Sequence, residues 1–211
     1  MMAASAAQAQ ALVRDPAHFQ WYVIPLLLLV LHAYGEQIAA RRWNVVLAGL
    51  AFWLMDWINE IWNGLLFHFS GFAPAWGTPF GSAYVILIGL NIEICFMFAI
   101  MGLFAVRILP PDRDLKMLGI NNRWLLAVGN AVLCVLVELW LNRIGALTWE
   151  WRGWRAEAPF LIWLIGYLPF FVVAYWVHDM PSLRRQLAVV GTLATIVITA
   201  LTLFAGVLRW I

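Results

Sequence analysis

Six long apolar runs separated by short polar breaks set the pattern of this chain. A helix needs about 20 predominantly apolar residues to cross the roughly 30 Å hydrocarbon core of a bilayer, at about 1.5 Å per residue. Read with a window of about 19 residues, the sequence predicts spans near 20–40, 43–69, 81–107, 124–145, 159–178 and 187–208. The breaks carry the helix-stopping residues: Arg41 and Arg42, then SGFAPAWGTPFG, PPDRDLKMLGINNR, TWEWRGWRAEA and HDMPSLRRQ. The predicted fold is all-α, a polytopic bundle of about six transmembrane helices. Residues 1–19 are Ala-rich without the apolar core of a signal peptide, so they are expected to remain attached as a short helix at the interface. Residues 20–211 form a single transmembrane helical domain.

Polar positions interrupt this pattern inside the second span, where LMDWINEIWN occupies residues 54–63. A charged side chain at the bilayer centre costs roughly 2.5–3.5 kcal/mol on insertion scales, so such residues face a protein interior or a water-filled space. At about 100° per residue, Asp56, Asn59, Glu60 and Asn63 fall within an arc of about 100°, a single stripe. The fourth span carries a matching stripe at four-residue spacing: Asn130, Cys134, Glu138 and Asn142. Taking each span's midpoint as the bilayer centre puts Asp56 and Glu93 at that centre, with Glu60 and Glu138 both roughly 6 Å further outward. Four acids from three spans are therefore expected to share one layer. Hydrogen bonding between helices is the plainer explanation for such groups, but it averages only about 0.6 kcal/mol per bond in membranes.

Composition agrees with the membrane reading: 64% of residues are apolar and 11% charged, with a mean hydropathy of +0.85. Eight basic residues fall in the first, third and fifth breaks and five on the opposite side, which predicts a multi-pass protein with both termini non-cytoplasmic. A net charge of +2 with no basic run longer than two residues sets nucleic acid aside. Cys95 and Cys134 sit within spans, which argues against a disulfide framework. The four histidines are dispersed over different spans and no HxxxH or CxxC spacing occurs, so neither a metal nor a cofactor is expected. The sequence sets no oligomeric state.

Tryptophan changes the picture more. Nine of the fourteen, Trp76, Trp149 and Trp154 among them, lie near span ends, where indoles favour the headgroup region. Trp53, Trp62 and Trp140 lie within spans near the acidic stripes. The two loops SGFAPAWGTPFG and TWEWRGWRAEA are apolar and aromatic for exposed connections, and are expected to form a partly buried lid over the acids. In the last span Thr192, Thr195, Thr199, Thr202 and Gly206 line up as a helix-packing seam.

A neutral carboxylic acid beside a carboxylate is an acid/base pair, and two acids held close together cannot both stay ionised. In a dry aromatic pocket reached from the membrane, such a pair suits proton-driven cyclisation, isomerisation or hydration of an isoprenoid or other lipid-like substrate. The catalytic candidates are Glu60 and Glu138 as acid and base, with Asp56 and Glu93 as tuning partners. Asn63, Asn142, Trp53, Trp62, Trp140 and His68 are the substrate-binding candidates. The placement of acids from different spans around an aromatic pocket resembles the small integral-membrane terpene cyclases of meroterpenoid pathways. That resemblance implies isomerase-type chemistry and covers the general arrangement of spans two to four. The alternatives are a proton-coupled transporter or channel using the same acids as a relay, and a pigment- or quinone-binding membrane subunit.

Overall fold

The computed structural model describes residues 1–79 and 82–211. After a short N-terminal helix α1 (Ala4–Leu12) come α2 (Val23–Ala39) and the 28-residue α3 (Trp43–Ser70). A small hairpin, β1 (Val85–Leu87) with β2 (Leu90–Asn91), leads into α4 (Ile92–Arg107). A second, β3 (Lys116–Met117) with β4 (Ile120–Asn121), leads into α5 (Asn122–Arg143). A π-helical segment, Ile162–Tyr167, runs into α6 (Leu168–His178), and α7 (Leu183–Ala200) ends in a second π-helical segment, Leu201–Val207. Among the described residues, three helices are long and apolar enough to cross a membrane: Trp43–Ser70, Asn122–Arg143 and Leu183–Val207. Val23–Ala39 and Ile162–His178 are apolar but shorter.

Local chemistry explains where these elements stop. Gly71 closes α3 in the left-handed conformation at φ 58°. Asn91, Asn121 and Ser182 cap α4, α5 and α7 by accepting hydrogen bonds from backbone N–H groups of the first turn. The turn between β3 and β4 places Leu118 and Gly119 at φ 52° and 78°, the two positive angles a tight two-residue hairpin requires.

Helix α3 is the axis of the molecule, packed by α2, α4, α6 and α7. Its approach to α4 depends on Gly102, where an added Cβ would stand 2.6 Å from the Cβ of Phe52. Small residues allow this closeness, the usual basis of helix association where lipid supplies no hydrophobic drive. Phe52 meets Phe98, Phe170 and Phe171 at ring separations of 4.9–6.0 Å, joining α3, α4 and α6 in one aromatic core. The threonine row of α7 does not form the expected seam. Its residues are exposed, Thr192 and Thr195 donate to the carbonyls four residues back, and α7 packs instead through Val190 and Val197.

The third predicted span requires a correction. It starts at Ile92 and not near 81, because the apolar stretch before it folds as the β1–β2 hairpin. Hydropathy cannot separate an apolar hairpin from the start of a helix, since both bury their side chains. Within a bilayer, irregular backbone is tolerated only inside protein, and Ala83, Val85, Leu87, Ile88 and Leu90 are all buried. Phe80 and Gly81, at the predicted start, lie outside the described residues.

Candidate functional site

The loops after α3 and α5 meet at one end of the bundle and pair through their backbones. Gly77 N–H donates to the Thr148 carbonyl at 3.0 Å, and Thr148 N–H returns a bond to Gly77 at 2.9 Å. This pairing ties the loop that follows Glu60 and α3 to the loop that follows Glu138 and α5. Helix α1 braces the outside: Ala6 and Ala9 are buried against Phe67, Ala73 and Ile88, and Ser5 bonds Glu150. The N-terminal segment is thus part of the lid assembly.

Asn63 fastens the lid from below. Fully buried on α3, it accepts from Ala75 N–H at 2.7 Å and Trp76 N–H at 3.3 Å, and donates to the Trp76 carbonyl at 2.8 Å. So held, the Trp76 indole N–H donates to Glu60 Oε1 at 2.8 Å, and Trp149 donates to Glu138 Oε1 at 3.1 Å. Gly89 makes room for this clasp: a Cβ there would lie 2.5 Å from both Asn63 Nδ2 and Trp76 Nε1. Above Glu60 the rings of Trp76 and Trp154 stack at 5.2 Å, with Trp62 tilted against both at 6.0 and 6.3 Å.

Beneath the lid is a cavity into which Asp56, Asn59, Glu60 and Glu138 all project. About 50 Å³ of it admits the centre of a water-sized sphere, and about 480 Å³ is empty of atoms when the open mouth is included. That is room for a few waters beneath the lid. The remaining walls are apolar and aromatic, with Phe98, Phe170, Trp76 and Trp154 prominent, and Tyr167 stands beside Glu138. Gly166 and Tyr167 reach the cavity from the π-helical segment, a distortion that recurs at functional sites.

Hydrogen bonding inside the cavity is incomplete. Among the described residues, Asp56 Oδ2, Glu60 Oε2 and Trp154 Nε1 are buried without a hydrogen-bond partner, as is Glu93 Oε2 outside the cavity. Most buried polar atoms in proteins are paired, and each exception calls for an explanation. Asp56 Oδ2 and Glu60 Oε2 thus belong to one apolar space, and the Trp154 side chain lies within reach of Glu138 there. Among the described residues, no three His, Cys, Asp or Glu side chains converge as metal ligands.

Several sequence candidates stand elsewhere. Glu93 is not at mid-span with the other acids. It sits in the first turn of α4, where a carboxylate complements the helix N-terminus, and it accepts from Ala83 N–H at 2.8 Å and from Tyr22. Asn142 donates to the Leu147 carbonyl at 3.0 Å and so shapes the turn after α5, not the cavity. Trp53 donates to Cys95 Sγ at 3.4 Å behind the site, and Trp140 is 59% exposed on the outer face of α5. His68 stacks on Trp210 at 4.7 Å, at the C-terminal end of α3. Asn63 and Trp62 support the lid and do not line the cavity. Trp76, Trp149 and Trp154 are not belt residues: their indoles turn inward, two of them onto the carboxylates. A buried carboxylate needs a donor, and an indole supplies one while keeping its surroundings apolar. The signal available was the position of these tryptophans in loops already marked as a lid.

A second polar cluster occupies the opposite end. Arg123 grips Asp179 with two bonds of 2.8 and 2.9 Å, His178 Nδ1 lies 2.9 Å from Asp179 Oδ1, and His178 Nε2 lies 3.0 Å from Asn44 Nδ2. Burial pushes the Asp179 carboxyl up, but the bonds from Arg123 and His178 outweigh it and hold the group below the usual carboxylate range.

Comparison with known proteins places the chain without naming a reaction. No solved structure matches it. A protein of Archaeoglobus fulgidus described as an uncharacterized protein is 52% identical over 207 residues, 98% of each chain. A second from the same organism, with the same description, is 49% identical over 53 residues, 25% of this chain and 95% of its own length. Residues 3–206 match the profile of a family described as an uncharacterized membrane protein family, and the chain belongs to that family.

Proposed function

We propose that this protein is a multi-pass intramembrane enzyme that uses Glu60 and Glu138 as an acid/base pair on a lipid-like, apolar substrate. The six spans in this reading are α2, α3, α4, α5, the Ile162–His178 helix and α7, with both termini non-cytoplasmic. One observation carries the proposal: Asp56 and Glu60 each hold an unpartnered buried oxygen, in an apolar cavity that Glu138 enters from a different helix. Glu93 also has a buried oxygen without a partner, but only those of Asp56 and Glu60 belong to residues that line the cavity.

The chemistry follows from the geometry. One carboxyl donates its proton to a carbon of a C=C bond, and the other carboxylate removes a proton from a neighbouring carbon. The substrate leaves as an isomer or a ring, or as an alcohol when water captures the cation, and proton return between the side chains resets the pair. Aromatic rings around the cavity supply negative faces toward developing positive charge, about 0.5–2 kcal/mol each. Asp56, one turn from Glu60, brings a third carboxyl group to the same space.

The test is to purify the protein in nanodiscs from cells expressing wild type, Glu60→Gln or Glu138→Gln, and to identify bound lipids by mass spectrometry. Substrate and product with wild type, and substrate alone with both folded variants, are the expected results. The same lipids in all three, together with Glu60-dependent proton flux in liposomes, would replace the enzyme with a proton-coupled carrier.

A further inference from the structure

Helices α4 and α5 follow each other in the chain, yet they are not among the helix pairs that pack together; each leans on α6. The gap between them is apolar. At the lid end it is the mouth of the carboxyl cavity, bounded by Met97 on α4 and Leu141 on α5, with Phe170 as floor. Toward the other end it continues as a groove between Met101 and Phe104 of α4 and Leu133 and Cys134 of α5, with Phe171 as floor. This second stretch has about 440 Å³ of atom-free space, counted with its opening. The two stretches share no lining residue; between them Cys134 Sγ meets Met101 Sδ at 3.6 Å, a closure of flexible, polarisable side chains that a chain lying along both stretches has to part.

Length and chemistry then define an occupant. From Met97 to Ile108 on α4, and from Leu141 to Asn130 on α5, the walls run 11 residues, or about 16 Å at 1.5 Å per residue. That is close to one leaflet, half of a roughly 30 Å hydrocarbon core. The one polar wall residue, Asn130, donates to the Tyr175 hydroxyl at 2.8 Å and offers nothing that would demand a polar ligand. The rim is open sideways, since Met97, Phe104 and Leu133 are 43%, 51% and 59% exposed.

We infer that the α4/α5 groove holds a single extended hydrocarbon chain of a membrane lipid, entering laterally, with the functionalised end of that chain at Glu60 and Glu138. The inference rests on the proposed function for what happens at that end, and it narrows the substrate to a linear-chain lipid about one leaflet long. Compact polycyclic lipids, and substrates arriving from water through the lid, do not fit.

The test is photolabelling in nanodiscs with a fatty acid carrying a diazirine near mid-chain, with adducts mapped by mass spectrometry. Adducts are expected to concentrate on Met101, Phe104, Leu133 and Cys134. Leu133→Trp, at the exposed rim, is expected to remove most labelling of α4, whereas Val132→Trp, its exposed neighbour outside the groove, leaves labelling at the wild-type level. Labelling spread evenly over exposed apolar faces, Ile196 and Ile198 of α7 included, or unchanged by Leu133→Trp in protein of normal melting behaviour, would overturn the groove. Glu60→Gln separates the two ideas: it is expected to keep the labelling pattern while losing product. Groove labelling without any Glu60-dependent product would leave this inference standing and remove the reaction, and the converse would remove the groove alone.

Discussion

The two ends of the bundle solve the same problem differently. Away from the lid, Arg123, Asp179, His178 and Asn44 join three helices through a closed set of hydrogen bonds and ion pairs. Under the lid, Asp56, Glu60 and Glu138 also sit in a low-dielectric interior, but two carboxyl oxygens and one indole N–H have no hydrogen-bond partner among the described residues. The first cluster is complete and fixes the chain. The second is held in place by Asn63, Trp76 and Trp149 yet left open toward a cavity. Burying a polar group unpaired is expensive, so the open cluster costs stability that the closed one does not.

Substitutions should separate the two ends. The largest effect is expected from Glu60→Gln or Glu138→Gln, which should lower turnover of the bound lipid by about 10²–10⁴-fold, the usual contribution of a positioned acid or base. Their thermal midpoints should stay near wild type, because an amide replaces a carboxyl without adding volume. Arg123→Met should do the reverse, since removing a charged hydrogen-bond partner costs about 1.5–3 kcal/mol, read as a lower thermal midpoint with unchanged turnover per folded molecule. Asn63→Ala falls between: three bonds to the lid are lost, limited proteolysis around Ala75 should accelerate, and turnover should drop with the misplaced Trp76 indole.

Acidity sharpens the contrast further. The Asp179 carboxyl titrates below its ordinary value of about 3.9, so its stabilising contribution is complete above that value and disappears as pH falls through the lower folded-state value. Wild type should therefore show an acid decline in thermal midpoint that Asp179→Asn lacks. The smallest effect is expected from Trp140→Leu, on the outer surface of α5, with turnover and melting both unchanged.

The sequence carried the polar stripe of α3 and its level with Glu138, because helical period and rise depend on the backbone alone. It also carried the lid, since apolar aromatic loops are otherwise hard to explain. It did not carry the start of α4. The run from Val85 to Leu90 is as hydrophobic as a span, and only its hairpin pairing, with Asn91 as cap, distinguishes it. Glu93 was misplaced for that reason alone. The inward turn of Trp76 and Trp149 was hidden too, because it depends on which loop lies over which acid, a fact of tertiary contact. The Arg123–Asp179 pair joins residues 56 positions apart in two loops that read separately as ordinary polar breaks.

Proton transfer between Glu60, Glu138 and a bound lipid is read directly by isotope labelling. Wild type, Glu60→Gln and Glu138→Gln proteins in nanodiscs, loaded with their co-purified lipid and incubated in deuterium oxide, would be analysed by mass spectrometry for deuterium fixed on carbon. The account predicts carbon-bound deuterium in the wild-type product and none with either variant. Lipid leaving wild-type protein without deuterium, or labelled equally by all three proteins, would contradict it.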